Sequence, residues 1–112
     1  MALPRPIPMD LAEMIAARLR VIGDPIRIRA LDLLREGELS VAQISEQLET
    51  SQQNASKHLG ILLQAGIVTR RKEGTSSYYR VADATVFALC EQVCGGLQLR
   101  LSELQAMVEG TR

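Results

Sequence analysis

Aromatic side chains are almost missing from this 112-residue chain: Phe87, Tyr78 and Tyr79 are the whole set, and there is no tryptophan. Proteins that hold single strands or unpaired RNA bases stack them on aromatic platforms, so that class is disfavoured while duplex recognition is not. Histidine is scarcer still, with His58 alone. One imidazole, no glycine-rich phosphate loop and no clustered carboxylates leave nothing from which to assemble a catalytic constellation, so the chain reads as a non-enzyme. No apolar run approaches membrane-spanning length. Residues 1–8 alternate prolines and carry no apolar signal core, so they read as an extended arm ahead of a single domain over 9–112. Without an export signal the sequon Asn54-Ala55-Ser56 has no glycosylation to receive, and the two cysteines, Cys90 and Cys94, are expected as reduced thiols in a cytoplasm.

Net charge is missing as well, with 13 cationic and 13 acidic residues. The distribution is uneven. Between Ser51 and Val81 five cations (Lys57, Arg70, Arg71, Lys72 and Arg80) face the single carboxylate of Glu73. A basic half on a neutral protein is the balance of a groove binder with modest non-specific affinity.

That basic half begins with a polar helix. Ser51 is a good N-cap, and Ala55, Leu59 and Leu62 recur at helical spacing, so one side packs inward while Gln53, Ser56, Lys57 and Gly60 share the other. Amides can pair bidentately with adenine edges, lysine reaches guanine or phosphate, and serine at a helix start suits phosphate. A solvated helix face would look the same in isolation, so the flanks decide. Ser40-Val41-Ala42-Gln43 is a capping box opening a short helix on Val41, Ile44 and Leu48, and only Glu49 and Thr50 separate it from Ser51. Two short helices joined by a tight turn, the second polar outside, make a helix-turn-helix.

Upstream, Asp10 with Glu13 suggests a capping box for a first helix ending at Gly23, and Asp24-Pro25 starts a second that runs through Leu34. Downstream, Gly66 closes the polar helix. Two strands around Gly74 then form a hairpin with a basic flank, a wing whose tip of Gly74, Thr75 and Ser76 is free to touch a DNA backbone. A charged, solubilising edge strand is the plainer reading of that hairpin, and the two are compatible. The last segment, residues 83–109, opens at Asp83 and repeats Val86, Cys90, Val93, Leu97, Leu101, Leu104 and Val108 at three-four spacing. So little domain remains to cover this stripe that it reads as a dimer seam through Val86, Val93, Leu97, Leu101 and Leu104. Gly95-Gly96 interrupts it, either as a kink or as a point of close backbone approach. The expected fold is α+β and mainly α: a winged helix-turn-helix of about five helices with a two-stranded hairpin, the last helix serving dimerisation.

These residues resemble the ArsR/SmtB-type winged-helix repressors. The resemblance is carried by Leu19 with Gly23-Asp24-Pro25-Ile26-Arg27, Leu31 and Leu34, by Gly37 to Ala42, by Ser51-Gln52 with Ser56-Lys57-His58-Leu59 and Leu62, by Ala65 to Val68, and by Gly74 to Arg80. It implies a homodimeric repressor of a double-stranded operator that leaves its DNA when an inducer binds or a thiol is modified. The DNA set would be Ser51, Gln52, Gln53, Asn54, Ser56, Lys57 and His58 with Arg70, Arg71, Lys72, Thr75 and Ser76 of the wing, His58 being either structural or turned to a phosphate. A winged domain used only for protein contacts is the competing class, and the basic bias speaks against it. The family's arsenic box is absent, since Ser40 and Ala42 stand at its cysteine positions, and so are the histidines of its zinc site on the last helix. Cys90 and Cys94 remain. At i and i+4 they share a helix face about 5 to 6 Å apart at Cβ. Paired thiols suit a thiophilic metal or metalloid ion, an oxidant or reactive sulfur, but free cysteines also pack as small hydrophobes. The residues alone leave both readings open.

Overall fold

The computed structural model describes residues 2–110, so the outermost ends assigned to the arm (1) and to the domain (111–112) lie outside the described residues. The arm, residues 2–8, is exposed and forms neither helix nor strand. The order is α1 (Met9–Ile22), α2 (Pro25–Leu33), a 3₁₀ turn (Leu34–Glu36), β1 (Leu39–Ser40), α3 (Val41–Leu48), α4 (Gln52–Gln64), β2 (Val68–Glu73), β3 (Ser76–Val81) and α5 (Thr85–Glu109).

Local capping chemistry sets most of these boundaries. Asp24 Oδ1 accepts from the N–H groups of Ile26 at 2.8 Å and Arg27 at 3.2 Å, with Pro25 as first helical residue, so the alternating Ile26-Arg27-Ile28-Arg29 becomes helix rather than strand. Ser40 and Gln43 form the reciprocal box, Gln43 N–H to Ser40 Oγ at 3.1 Å and Ser40 N–H to Gln43 Oε1 at 2.9 Å. Ser51 Oγ accepts from Asn54 N–H at 3.0 Å. Two expected caps are corrected. α1 starts from Pro8 with no side-chain cap, because helical geometry already begins at Met9 and leaves Asp10 inside the first turn. Asp83 sits one residue before the Ala84 N-cap, although its Oδ1 still accepts from Thr85 N–H at 3.0 Å.

The sheet has three strands rather than two, in the order β1-β3-β2, all antiparallel. The hairpin pairs Val68 with Val81 and Arg70 with Tyr79, and the two-residue β1 adds Leu39 opposite Tyr79 and Ser40 opposite Tyr78. Tyr79 is thereby buried, and the sheet is anchored to the start of α3. Below it lies one core in which Leu31, Ile44, Leu59, Leu62, Ile67, Val68 and Val86 are fully enclosed. Each such aliphatic side chain contributes about 1.5 to 3 kcal/mol.

Val86 belongs to this core, 2% exposed, and this corrects its assignment to a dimer seam. The start of α5, through Phe87 and Leu89, packs on its own domain. Farther on the helix runs out from it, with Val93, Leu97, Leu101 and Leu104 exposed, and it passes through Gly95-Gly96 without a break. Arg18 ties α5 back to the rest: its guanidinium donates to Ala65 O at 2.6 Å and forms an ion pair with Asp83.

The Thr85 hydroxyl first, and then Arg18, hold the Asp83 carboxyl below the ordinary aspartate range against the opposing effect of burial. A depressed carboxyl stabilises the fold above its unfolded pKa of about 3.9, and that contribution is lost as pH falls through the folded value. Arg18→Ala should therefore cost about 1 to 2 kcal/mol at neutral pH, discounted for partial exposure. In urea titrations the gap between wild type and variant should narrow below pH 4 without closing, because the bond to Ala65 O does not titrate. A gap independent of pH would contradict the ion pair's contribution.

Candidate nucleic-acid interface

With Ala55, Leu59 and Leu62 turned into the core, α4 can present only its opposite side, and there Gln52, Gln53, Ser56 and Lys57 are all exposed. Gly60, half-buried, extends the same side by one turn without bulk. None of the four exposed side chains is held in an ion pair or side-chain hydrogen bond among the described residues. The surface is polar, short-chained and uncommitted.

Three members of the expected DNA set sit differently. His58 is buried at 9% exposure, with Nδ1 taking Arg27 Nη1 at 3.1 Å and lying 3.7 Å from Asp24 Oδ1. It faces the junction of α1 and α2, and this corrects its inclusion among the DNA contacts. Asn54 lies off the exposed side and donates its amide to Thr50 Oγ1 at 2.9 Å, bracing the turn between α3 and α4. Ser51 spends its hydroxyl on the helix cap.

In the wing, strand alternation separates the cations. Arg71 crosses to Glu38, Nη2 to Oε1 at 2.8 Å and Nε to Oε2 at 3.2 Å, pairs also with Glu73, and lies 4.7 Å over the Tyr78 ring. The hydrogen bond from Arg71 outweighs desolvation and keeps Glu38 below the usual glutamate range, while the same two carboxylates raise the Arg71 pKa further. Arg71 thus brings little net charge to a DNA backbone, unlike its sequence-based assignment as a phosphate contact. Arg70 and Lys72, on the alternate face of β2, are exposed and hold no ion pair among the described residues.

Between α4 and the wing lies a cleft of about 390 Å³ lined by Ser40, Gln52, Ser56, Thr75, Ser77 and Tyr78. Thr75 and Ser76 of the tip are where the sequence put them, whereas Ser40, Ser77 and Tyr78 join only because β1 pairs with β3. No local pattern announces a strand of two residues. A second groove, apolar and also about 390 Å³, runs between α1, the start of α2 and α5; Leu19, Ile22, Leu89, Val93, Cys90 and Cys94 line it, Cys90 half-buried and Cys94 exposed. Among the described residues no group of three or more His, Cys, Asp or Glu side chains is gathered to hold a metal, and no helix is long and apolar enough to cross a membrane.

Residues 24–70, from the Asp24 cap to the start of the wing, match the model of the bacterial regulatory protein, arsR family. An uncharacterized HTH-type transcriptional regulator of Methanocaldococcus jannaschii is 42% identical over 79 residues, 70% of this chain and 89% of that protein. A biofilm growth-associated repressor of Agrobacterium fabrum is 33% identical over 89 residues, 80% of this chain and 76% of that one. Among solved structures, the homodimeric winged helix-turn-helix DNA-binding domain of a possible ArsR-family regulator from Mycobacterium bovis superposes with a TM-score of 0.70 at 31% identity, covering 84% of this chain and 87% of that chain.

On this geometry Gln53→Ala and Lys57→Ala should differ in kind. Loss of a base-reading amide should relax specificity at one operator position by about 1 to 3 kcal/mol, while loss of the lysine should weaken all sequences and flatten the salt slope by about one ion. Arg70→Ala and Lys72→Ala should resemble Lys57→Ala, and Arg71→Ala should change the slope least. Binding titrations at several salt concentrations read all of these, and an Arg71 slope effect equal to that of Lys72 would contradict the internal neutralisation.

Proposed function

Because the chain belongs to the arsR family of bacterial regulatory proteins and is a DNA-binding transcriptional regulator, we propose that it is a homodimeric repressor reading an operator with α4. Its release from DNA would follow a thiophilic ligand or thiol modification at Cys90 and Cys94. The observation that carries the DNA part is the uncommitted polar side of α4, Gln52, Gln53, Ser56 and Lys57, of which Gln52 and Ser56 line a hydroxyl-rich cleft against the wing; the wing also carries Arg70 and Lys72, exposed and without an ion pair among the described residues. Such a surface gives neutral donors and acceptors for base edges and phosphates and a small cationic component for the backbone. Its balance suits sequence reading more than non-specific adhesion.

Dimerisation is supported by α5. Val93, Leu97, Leu101 and Leu104 keep one face and are 41–65% exposed. A second copy would bury that stripe by a two-fold contact, and two-fold symmetry presents two α4 helices to two half-sites. The Mycobacterium bovis neighbour is named as a homodimer, in keeping with this reading. The thiols sit where the stripe meets α1. One chain offers two sulfurs and a partner brought against the same face offers two more, so the pair suits a soft ion or an oxidant better than a hard cation. Weakening DNA binding a hundredfold needs a differential affinity between free and DNA-bound forms of about 2.7 kcal/mol, within reach of one metal–thiolate site or covalent adduct. The half-burial of Cys90 on the apolar stripe favours a second reading in which both cysteines only pack and the regulator takes another inducer.

Two measurements separate these readings. Leu97→Glu with Leu101→Glu should give a folded monomer by sedimentation and circular dichroism at micromolar concentration, with operator affinity reduced at least tenfold for want of the second half-site; an unchanged dimer would overturn the seam. Cys90→Ser with Cys94→Ser should leave operator affinity nearly intact and abolish release by arsenite, cadmium or persulfide. A double variant that loses the dimer, with wild-type protein indifferent to every thiol reagent, would establish packing instead.

A further inference from the structure

We propose that Arg27 is a positioning residue for DNA reading, seating α4 on the end of α1 through His58; this rests on the reading of α4 as the DNA-contacting helix. A helix leaves its last four carbonyls without in-helix donors. In α1 these belong to Leu19, Arg20, Val21 and Ile22. Gly23 N–H takes Leu19 O at 2.8 Å and Asp24 N–H takes Ile22 O at 2.8 Å. Arg27 takes the other two, Nε to Val21 O at 2.5 Å and Nη2 to Arg20 O at 3.5 Å. Its third nitrogen, Nη1, donates to His58 Nδ1 at 3.1 Å, which leaves the imidazole proton on Nε2. One planar, rigid group therefore caps α1 and grips the middle of α4.

The grip matters because the other polar contacts of α4, Asn54 to Thr50 and Arg18 to Ala65 O, lie at its two ends, and the contacts along its middle are apolar. Ala55, Leu59 and Leu62 bury the helix but set its rotation and axial position only through packing, which has no preferred direction. A hydrogen bond to a ring nitrogen does have one. His58 directly follows Lys57, and successive residues lie about 100° apart around a helix, so the angle at which His58 is held sets the angle at which Gln53, Ser56 and Lys57 meet a groove. Asp24 completes the junction: the carboxylate that caps α2 lies 3.7 Å from the same Nδ1. Burial by itself would raise that carboxyl's pKa, but the N–H groups of Arg27 and Ile26, and then the charge of Arg27, hold it below the usual range, so the anion is kept in place. Lysine could not do what Arg27 does, since an ammonium is a point charge without a planar fork.

The test uses the full chain with Arg27→Gln, His58→Leu, the two combined, and His58→Gln, whose amide oxygen can still accept from Arg27. Affinities for operator and random duplexes are measured at a temperature where circular dichroism finds every variant folded, and amide spectra are recorded without DNA. Arg27→Gln and His58→Leu should each lower the preference for operator over random DNA about tenfold, or about 1.4 kcal/mol. The salt slope should stay unchanged, because no phosphate contact is lost. The combined variant should be no worse than either single one, and His58→Gln should keep the preference. Additive losses, or lowered melting temperatures with the preference intact, would overturn the proposal and make the contact merely structural. Should wild-type protein show no preference for any duplex, the reading of α4 falls by itself, and the DNA-free spectra still decide on Arg27. Shifts at Gln53, Ser56 and Lys57 in both single variants support the grip, and shifts confined to the end of α1 overturn it.

Discussion

Leu59 and Leu62 have no exposed surface, and with Ala55 they commit one side of α4 to the centre of the core. A helix so placed has one side left to present, and here that side carries two amides, a hydroxyl and one ammonium rather than long paired charges. Everything packed around α4 serves its placement. α3 braces it through the short turn at Glu49 and Thr50, the wing stands beyond its C-terminus on Ile67 and Val68, and α1 and α2 close on it from behind through Arg27 and His58. The apolar contacts supply most of the free energy, and the few polar contacts supply direction.

Charge is distributed by the same logic. Of the cations that make the middle of the chain basic, Arg71 is absorbed by Glu38 and Glu73 and fastens the wing to the turn before β1. Lys57, Arg70, Lys72 and Arg80, the last bonded only to Thr69 Oγ1 at 3.4 Å, hold no ion pair among the described residues and are left available for a backbone. That arrangement separates a cation that builds the wing from cations that can bind with it, and it limits the electrostatic part of any DNA affinity to a few ions. In the proposed function, a protein of zero net charge gains much of its operator affinity from complementarity to a particular sequence.

The parts of this structure that the sequence made legible are the ones governed by neighbours in the chain. The Asp24-Pro25 start, the Ser40–Gln43 box, the Ser51 cap and the Gly74 turn each depend on residues within a few positions, so the helix-turn-helix and its wing could be placed without coordinates. Asp10 failed as a cap for an equally local reason, because Pro8 had already opened the helix. Asn54 and Ser51 were likewise drawn away by partners within four positions, whereas the larger departures have distant causes. His58 turned inward to Arg27, 31 residues away; Arg71 was drawn to Glu38, 33 away; Arg18 and Asp83 close a span of 65. Val86 shares the periodicity of the seam residues, and only tertiary packing shows that the start of α5, through Leu89, lies on its own domain while the rest leaves it. The two-residue β1 is too short to carry any pattern, yet it brings Ser40 beside Ser77 and Tyr78.

In the proposed function, two copies of α4, held by one dimer, read a duplex from its major groove. Methylation of guanine N7 before binding maps that contact directly, since the added methyl group blocks the major groove at one base and leaves the phosphates untouched. On a duplex selected by the protein from random sequence, interference should fall in two symmetric clusters on one face of the DNA, about 10 to 10.5 base pairs apart centre to centre or a whole multiple of that. A single cluster, or binding that no major-groove methylation disturbs, would contradict it.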